Sequence, residues 1–218
     1  MPTSFRMYLA PRRAVSSVRA WIRRVVLSRL SIGDAWARWE YGVPPTAFGR
    51  GSRHDFAWYF EGESAVRVAS IGEIQDWLLG CQYANDTALF HEPDFWQHPC
   101  TFEELRRGDC EDHAIWAWRK LVELGMDADL VSGTVRHDDG GRVGHVWVVL
   151  RDGGTTFVLE CVAKSSELML RPLAEVRDQY RPEFGVDRAR RPYVFNGALL
   201  AMRERDRAPG REVVGAGA

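Results

Sequence analysis

Asp152-Gly153 stands between two apolar runs, residues 143–150 and 155–162, and reads as the two-residue turn of a β-hairpin. Such turns need left-handed backbone, which Asp, Asn and Gly tolerate. A hairpin closed there dictates its own pairing. Arg151 faces Gly154, and His145 falls opposite Glu160, with Cβ atoms about 5 Å apart on one face. The other face carries Val146, Val148 and Leu150 against Leu159, Phe157 and Thr155, which makes a core layer. A four-residue loop over 151–154 keeps the same register, whereas a slip of one residue moves every side chain to the wrong face. The chain is thereby committed to an antiparallel sheet bearing a histidine–carboxylate pair.

Upstream, Gly108-Asp109-Cys110-Glu111-Asp112-His113-Ala114 reads as the start of a helix over 110–124. Asp109 is its N-cap, Asp112 completes a capping-box pattern, and Gly125 takes the left-handed C′ place. Cys110 is then the first helical residue, on one stripe with Ala114, Ala117, Trp118 and Leu121. Free backbone N–H groups and the helix dipole there favour a thiolate, below the ordinary thiol value of about 8.5. Asp109, Glu111 and Asp112 oppose this, so a protonated histidine has to outweigh them. A buried structural cysteine is the bland alternative, disfavoured by three acids and a glycine beside it. If Glu160 orients the His145 imidazole toward Cys110, the three form a Cys–His–acid site.

The rest of the chain frames this site. With 218 residues, 45% hydrophobic content and nine Trp, it can bury a sizeable single core. Arg6, Arg12, Arg13, Arg19, Arg23, Arg24 and Arg29 all precede the first acid, Asp34. Against a net charge of −1, those seven positives leave eight negatives on the remainder. Three regions are expected: a basic helical arm (1–43), a catalytic domain (44–200) and a disordered tail (201–218). The helix of the arm spans 13–40, through Trp36 and Trp39. Its apolar face (Val15, Val18, Ile22, Val25, Val26) includes Arg29, which favours docking on its own domain over lying on anionic lipid. A peripheral membrane or partner contact through 1–33 is the alternative. Arginines interrupt every apolar run, so neither a secretory signal nor a membrane span is expected, and with four cysteines a reducing, cytoplasmic setting follows. The balanced charge makes no case for nucleic acid.

Pro44-Pro45, Gly49, Gly51 and Ser52 mark an exposed connection. Residues 71–81 form an amphipathic helix with Ser70 as N-cap and Ile71, Ile74, Trp77 and Leu78 on one face. Residues 82–107 read as irregular, and 130–136 as a further strand. A short helix over 173–180 precedes a Pro/Arg-rich segment. His91, His98, Cys100, Cys110 and His113 include zinc-type ligands, but they fit no two-Cys, two-His spacing and no C-x-x-C is present. The acidic trio is alternatively a site for a hard cation.

Three blocks carry a family resemblance. Phe95-Trp96-Gln97-His98-Pro99, Phe102-Glu103-Glu104-Leu105 and Gly108-Asp109-Cys110-Glu111-Asp112 form the first. Gly144-His145-Val146-Trp147-Val148 is the second and Leu159-Glu160 the third. Together, over about residues 70–165, they resemble the transglutaminase-like superfamily, and within it the bacterial transglutaminase-like cysteine proteinases. The resemblance implies an α+β fold with a papain/transglutaminase-like core, its nucleophile helix packed on an antiparallel sheet. It implies Cys110 as nucleophile, His145 as proton carrier and Glu160 as third residue, where the family usually has Asp. The expected activity is that of a thiol-dependent hydrolase or acyltransferase on peptide or protein amides, through a thioester. A catalytically silent peptide or partner binder, or a maturation or scaffold component, is the alternative. Gln97 and Tyr83 are candidates to help the Cys110 N–H bind an oxyanion. No cofactor is required, and calcium at Asp109 and Glu111 is a candidate by the same resemblance.

Overall fold

The computed structural model describes residues 33–39, 42–137 and 139–207. Most of the basic arm and the tail beyond 207 lie outside the described residues, as does the docking or lipid contact assigned to 1–33. Where the expected arm helix enters the described region it is absent: residues 35–36 turn, and Arg38–Trp39 is a short strand, β1. At the other end, residues 201–207 continue a helix, α7 (Asn196–Arg207), instead of starting a disordered tail.

Seven antiparallel strands form the main sheet. These are β1, β4 (Asp127–Arg136), β5 (Arg142–Asp152), β6 (Thr155–Leu159), β7 (Leu170–Pro172), β8 (Tyr180–Val186) and β9 (Pro192–Phe195), in the spatial order β1-β9-β8-β4-β5-β6-β7. Short helices α5 (Ser166–Met169) and α6 (Leu173–Val176) connect β6, β7 and β8. The fold is α+β, with helix α4 (Cys110–Glu123), which begins at Cys110, packed on one face.

Alternation along the strands splits the interior in two. Val146, Val148, Leu150 and Leu159 face α4 and join Ala114, Trp116, Ala117, Trp118 and Leu121 in the larger core. Val131, Trp147, Val149, Val158, Tyr180 and Tyr193 make a smaller core on the opposite face, which Trp36 joins. Helix α4 begins in the expected capping box and ends in a Schellman motif: Gly125, at φ 77°, donates to Val122 O, and Met126 to Leu121 O. Helix α1 (Ile71–Leu79) starts at Ser70, whose hydroxyl accepts from Glu73 N–H.

Three expectations need correction. The hairpin turn is Gly153-Gly154, not Asp152-Gly153, so Asp152 pairs with Thr155 and Val148 with Leu159. Both glycines have positive φ, 54° and 81°, a conformation that costs a glycine nothing and an aspartate something. The register moves by two residues, which keeps every side chain on its expected face.

Residues 82–107 are also more regular than expected. They hold β2 (Gln82–Tyr83), α2 (Asp86–Phe90), α3 (Pro99–Leu105) and β3 (Arg107–Gly108), with β2 and β3 paired in parallel. Pro99 is the first residue of α3, where its missing N–H does no harm. Finally, the Pro/Arg-rich stretch becomes β8 and β9. Pro182 occupies a central strand because it pairs with Gly133 where the register shifts at a bulge.

Candidate active site

Cys110 opens α4 beside β5 at the level where β6 has ended. The β5–β6 ladder stops at Val148–Leu159, and the Val146 backbone N–H beyond it lies where it favours the Cys110 thiolate. Opposing effects are stronger. Burial, then the charges of Glu111 and Asp109, push the thiol well above its ordinary value. The thiol accordingly donates to Glu111 Oε2 at 3.2 Å. The helix-terminus effect expected to lower this thiol is therefore overridden by burial together with its acidic neighbours.

His145 and Glu160 meet, as the hairpin predicts, although they are not directly opposed. In the observed register Glu160 lies diagonal to His145, just past the end of β6, and a long carboxylate side chain spans that separation. His145 Nε2 is 2.9 Å from Oε1 and 2.8 Å from Oε2 of Glu160. Burial works to raise the Glu160 carboxyl, but hydrogen bonds and charge from His145, and the Tyr180 hydroxyl at 2.8 Å, outweigh it and hold it below the usual range. An ionised carboxylate only accepts, so Nε2 carries the proton and Nδ1 is left as a base. His145 is stacked on Trp147, on the face away from the α4 core, with 11% of its side chain exposed. Among the described residues no hydrogen bond joins Cys110 to His145.

Acids from three segments converge behind the cysteine. Ligand atoms of Asp86, Asp109 and Asp112 lie within 4.8 Å of one another, as do those of Asp86, Asp94 and Glu111. Burial, then neighbouring acids, raise the Asp86 carboxyl to about 7 and push Glu111 and Asp112 well above the carboxylate range. Asp86 Oδ1, Asp109 Oδ1, Gln97 Oε1, Ser52 Oγ and Tyr59 Oη are buried without a hydrogen-bond partner. Clustered carboxylate oxygens are the ligand type of a hard cation such as calcium, and Asp86 and Asp109, each with an unpartnered Oδ1, belong to such a cluster. Asp109 and Glu111 were legible as candidates because they flank Cys110; Asp86 and Asp94 carry no such signal, since only folding brings them there.

The two oxyanion candidates fare differently. Gln97 donates its side-chain N–H groups to Arg107 O at 3.0 Å and to Asp112 Oδ2, and its backbone N–H to Asp112 Oδ1 at 2.8 Å. Its amide is thus committed to holding Asp112. Tyr83 is 51% exposed beside Gly108, and the Cys110 charge is among the causes, after burial, that raise its hydroxyl. His98 and His113 are structural. His98 Nδ1 caps α3 by accepting from Cys100 N–H, and His113 donates to Asp109 O at 2.7 Å, with burial lowering it to about 4. Among the described residues no ligand group includes His91, His98, Cys100 or His113.

Gly108 closes the arrangement. A Cβ on it would meet Asp112 Oδ2, with Asp112 Cβ and Gln97 Nε2 each at 2.7 Å. Gly108→Ala is expected to destabilise the fold by about 1–3 kcal/mol through this overpacking. Thermal unfolding of the variant checks it; an unchanged midpoint would mean the Asp112–Gln97 contact yields freely.

No protein-family description matches the sequence, and no curated protein matches it. Solved structures similar to it include Legionella pneumophila LapG, at 17% identity over 62% of this chain and 72% of that one, with a TM-score of 0.44. The calcium-bound form of LapG gives 16%, 66%, 72% and 0.43. An arylamine N-acetyltransferase from Bacillus cereus, described as having a unique Cys-His-Glu catalytic triad, gives 19%, 55%, 51% and 0.37.

Proposed function

We propose that this chain is a thiol-dependent hydrolase or acyltransferase of the transglutaminase-like kind, acting on peptide or protein amides through Cys110, His145 and Glu160. The observation that carries the reading is the doubly contacted Glu160 carboxylate, which fixes the His145 tautomer one residue from the backbone N–H facing Cys110. In the working form Cys110 turns from Glu111 to Nδ1 of His145, which takes the thiol proton. The thiolate then attacks the amide carbonyl carbon, and the oxyanion is held by the Cys110 N–H with Tyr83 as the available side-chain donor. His145 passes its proton to the leaving amine as the C–N bond breaks, leaving a thioester. Water or an amine attacks the thioester, loses its proton to His145, and releases Cys110.

Asp86, Asp94, Asp109 and Glu111 would hold a calcium ion through carboxylate oxygens. Bound there, calcium would supply positive charge that offsets the acids now suppressing the thiolate. These residues have their own cost without a cation. Because the folded Asp86 carboxyl sits near 7 and an unfolded one near 3.9, stability is expected to fall as pH rises from about 4 to about 7. Calcium at a hundred times its pH 8 dissociation constant should restore about 2.7 kcal/mol at pH 8, and the same concentration should restore less at pH 6, because protons compete for the ligands. Unfolding midpoints with calcium and with chelator check this; identical midpoints at pH 8 would remove the cation from the reading.

The test of the enzyme itself is the pH dependence of Cys110 alkylation by iodoacetamide, resolved by peptide mass spectrometry against Cys81, Cys100 and Cys161. With calcium present, a Cys110 midpoint below the ordinary thiol value of about 8.5 is expected. The thiol's bond to Glu111 favours a second reading, a catalytically silent peptide binder. A midpoint that stays above 8.5 with calcium would establish that one instead.

A further inference from the structure

We infer that Tyr180 is a positioning residue of the Cys110–His145–Glu160 site, acting through the Glu160 carboxylate; the inference rests on the function proposed above. Tyr180 opens β8, two strands away from the strand that carries His145, and its hydroxyl nevertheless donates to Glu160 Oε2 at 2.8 Å. Its side chain therefore crosses β4 toward β5, where the Glu160 carboxylate reaches back to His145 and meets it. The backbone register shows what permits this. Tyr180 pairs with Val135, and the residue between it and His145 on that face is Gly133, which itself pairs with His145. Gly133 presents no side chain at the crossing, and a Cβ there would strike Arg181 O, with Pro182 Cα at 2.9 Å.

Glu160 is the residue that needs such a contact. Compared with an aspartate it has one more rotatable bond, so holding His145 does not by itself fix the plane of the carboxylate. His145 Nε2 lies almost equally far from both oxygens, at 2.9 and 2.8 Å, and so leaves that plane free to turn about it. The Tyr180 bond to Oε2 alone removes the ambiguity. The ring supplying it is itself immobilised: Tyr180 is 8% exposed and lies 5.0 Å from Trp147, the ring on which His145 stacks. Tyrosine, tryptophan, histidine and glutamate form one closed ring of contacts around the imidazole, and an orienting shell of this kind governs how accurately a proton carrier is aimed.

A residue that only fills the smaller core predicts something different, and a variant pair separates the two. Tyr180→Phe keeps the ring and removes the hydroxyl. In the full-length chain with calcium, it is expected to slow iodoacetamide labelling of Cys110 at pH 7 about tenfold and to move the midpoint to higher pH, since Glu160 loses a donor that favours its ionised form. In a Glu160→Ala background the same substitution should change neither the rate nor the midpoint, because the hydroxyl acts only through that carboxylate. An equal slowing in both backgrounds, or no shift in either, would overturn the inference and leave Tyr180 a packing residue. His145→Ala runs alongside. If it slows labelling while Tyr180→Phe does not, the positioning role alone fails. If it leaves labelling unchanged, the site reading fails and this inference with it.

Discussion

Replacing His145 with alanine is expected to cut acyl transfer by at least about a thousandfold while leaving the unfolding midpoint within a few degrees. General acid–base catalysis by one positioned side chain is worth about 10² to 10⁴ in rate, and in the proposed mechanism one imidazole serves both half-reactions. In that mechanism its removal also takes away the base that accepts the Cys110 proton, from a thiol that burial, Glu111 and Asp109 already push up. Alkylation of Cys110 at pH 7 should therefore slow in parallel with turnover. Fold should survive because His145 is an edge residue of the smaller core, stacked on Trp147 without filling a cavity. Glu160→Gln should cost less, since an amide oxygen still accepts from Nε2–H and keeps the tautomer. Parallel rates for wild type and both variants would show that this pair does not serve Cys110.

Glu103→Ala should have the largest effect on stability, about 3–5 kcal/mol, and lower the unfolding midpoint by roughly 10 °C. Glu103 lies on α3, buried against α4. Its carboxylate accepts from Ala65 N at 2.8 Å, Val66 N at 3.3 Å, Trp116 Nε1 at 2.8 Å and the Ser64 hydroxyl, and pairs with Lys120 Nζ at 3.2 Å. Truncation would leave the Lys120 ammonium, itself 1% exposed in its side chain, without its buried counter-charge. Four neutral donors would lose this acceptor as well. The double variant Glu103→Leu, Lys120→Met should recover most of the loss, because replacing both charges removes the desolvation problem that removing one creates. If the single variant matched wild type, water would have to replace the carboxylate fully.

Protonation acts on the same carboxyl. Burial raises it, but Ser64, Trp116 and Lys120 hold it below its ordinary value. The stability it contributes is present above the ordinary carboxylate range, about pH 4.3, and is lost as pH falls through the lower folded value. Asp86 runs the other way, so chelated protein should be most stable in mildly acid solution, and calcium should move that maximum toward neutral pH.

Much of the setting of Cys110 was legible from short-range chemistry. The capping box at Asp109 and Asp112, the helix it opens and Gly125 at its end depend on residues within one turn of each other, so the letters alone specify them. The same holds for the faces of β5 and β6, because alternation is a property of the strand itself. Register was a closer contest. Asp152-Gly153 and Gly153-Gly154 are both turn sequences, and the second won because both of its residues adopt positive φ freely. The pairing of His145 with Glu160 survived since a shift of two preserves the face and glutamate reaches the diagonal.

What no local reading could supply came from segments distant in sequence. A proline in β8 argues against a central strand until Gly133 and the bulge are placed opposite it. Edge strand β1 exists only because β9 offers it a partner, while its own sequence continues a helical pattern. Asp86 and Asp94 become neighbours of Glu111, and Tyr180 of Glu160, through the packing of loops and strands onto α4 and the sheet. Sequence by itself thus determined the helix, the place of Cys110 at its start and the alternation of the hairpin, whose causes act over a few residues. Tertiary structure alone decided the wider acidic cluster, the burial that adds to the acids beside Cys110, and the anchoring of Glu160, because each is a sum of contacts between residues that only the complete fold brings within a few ångströms.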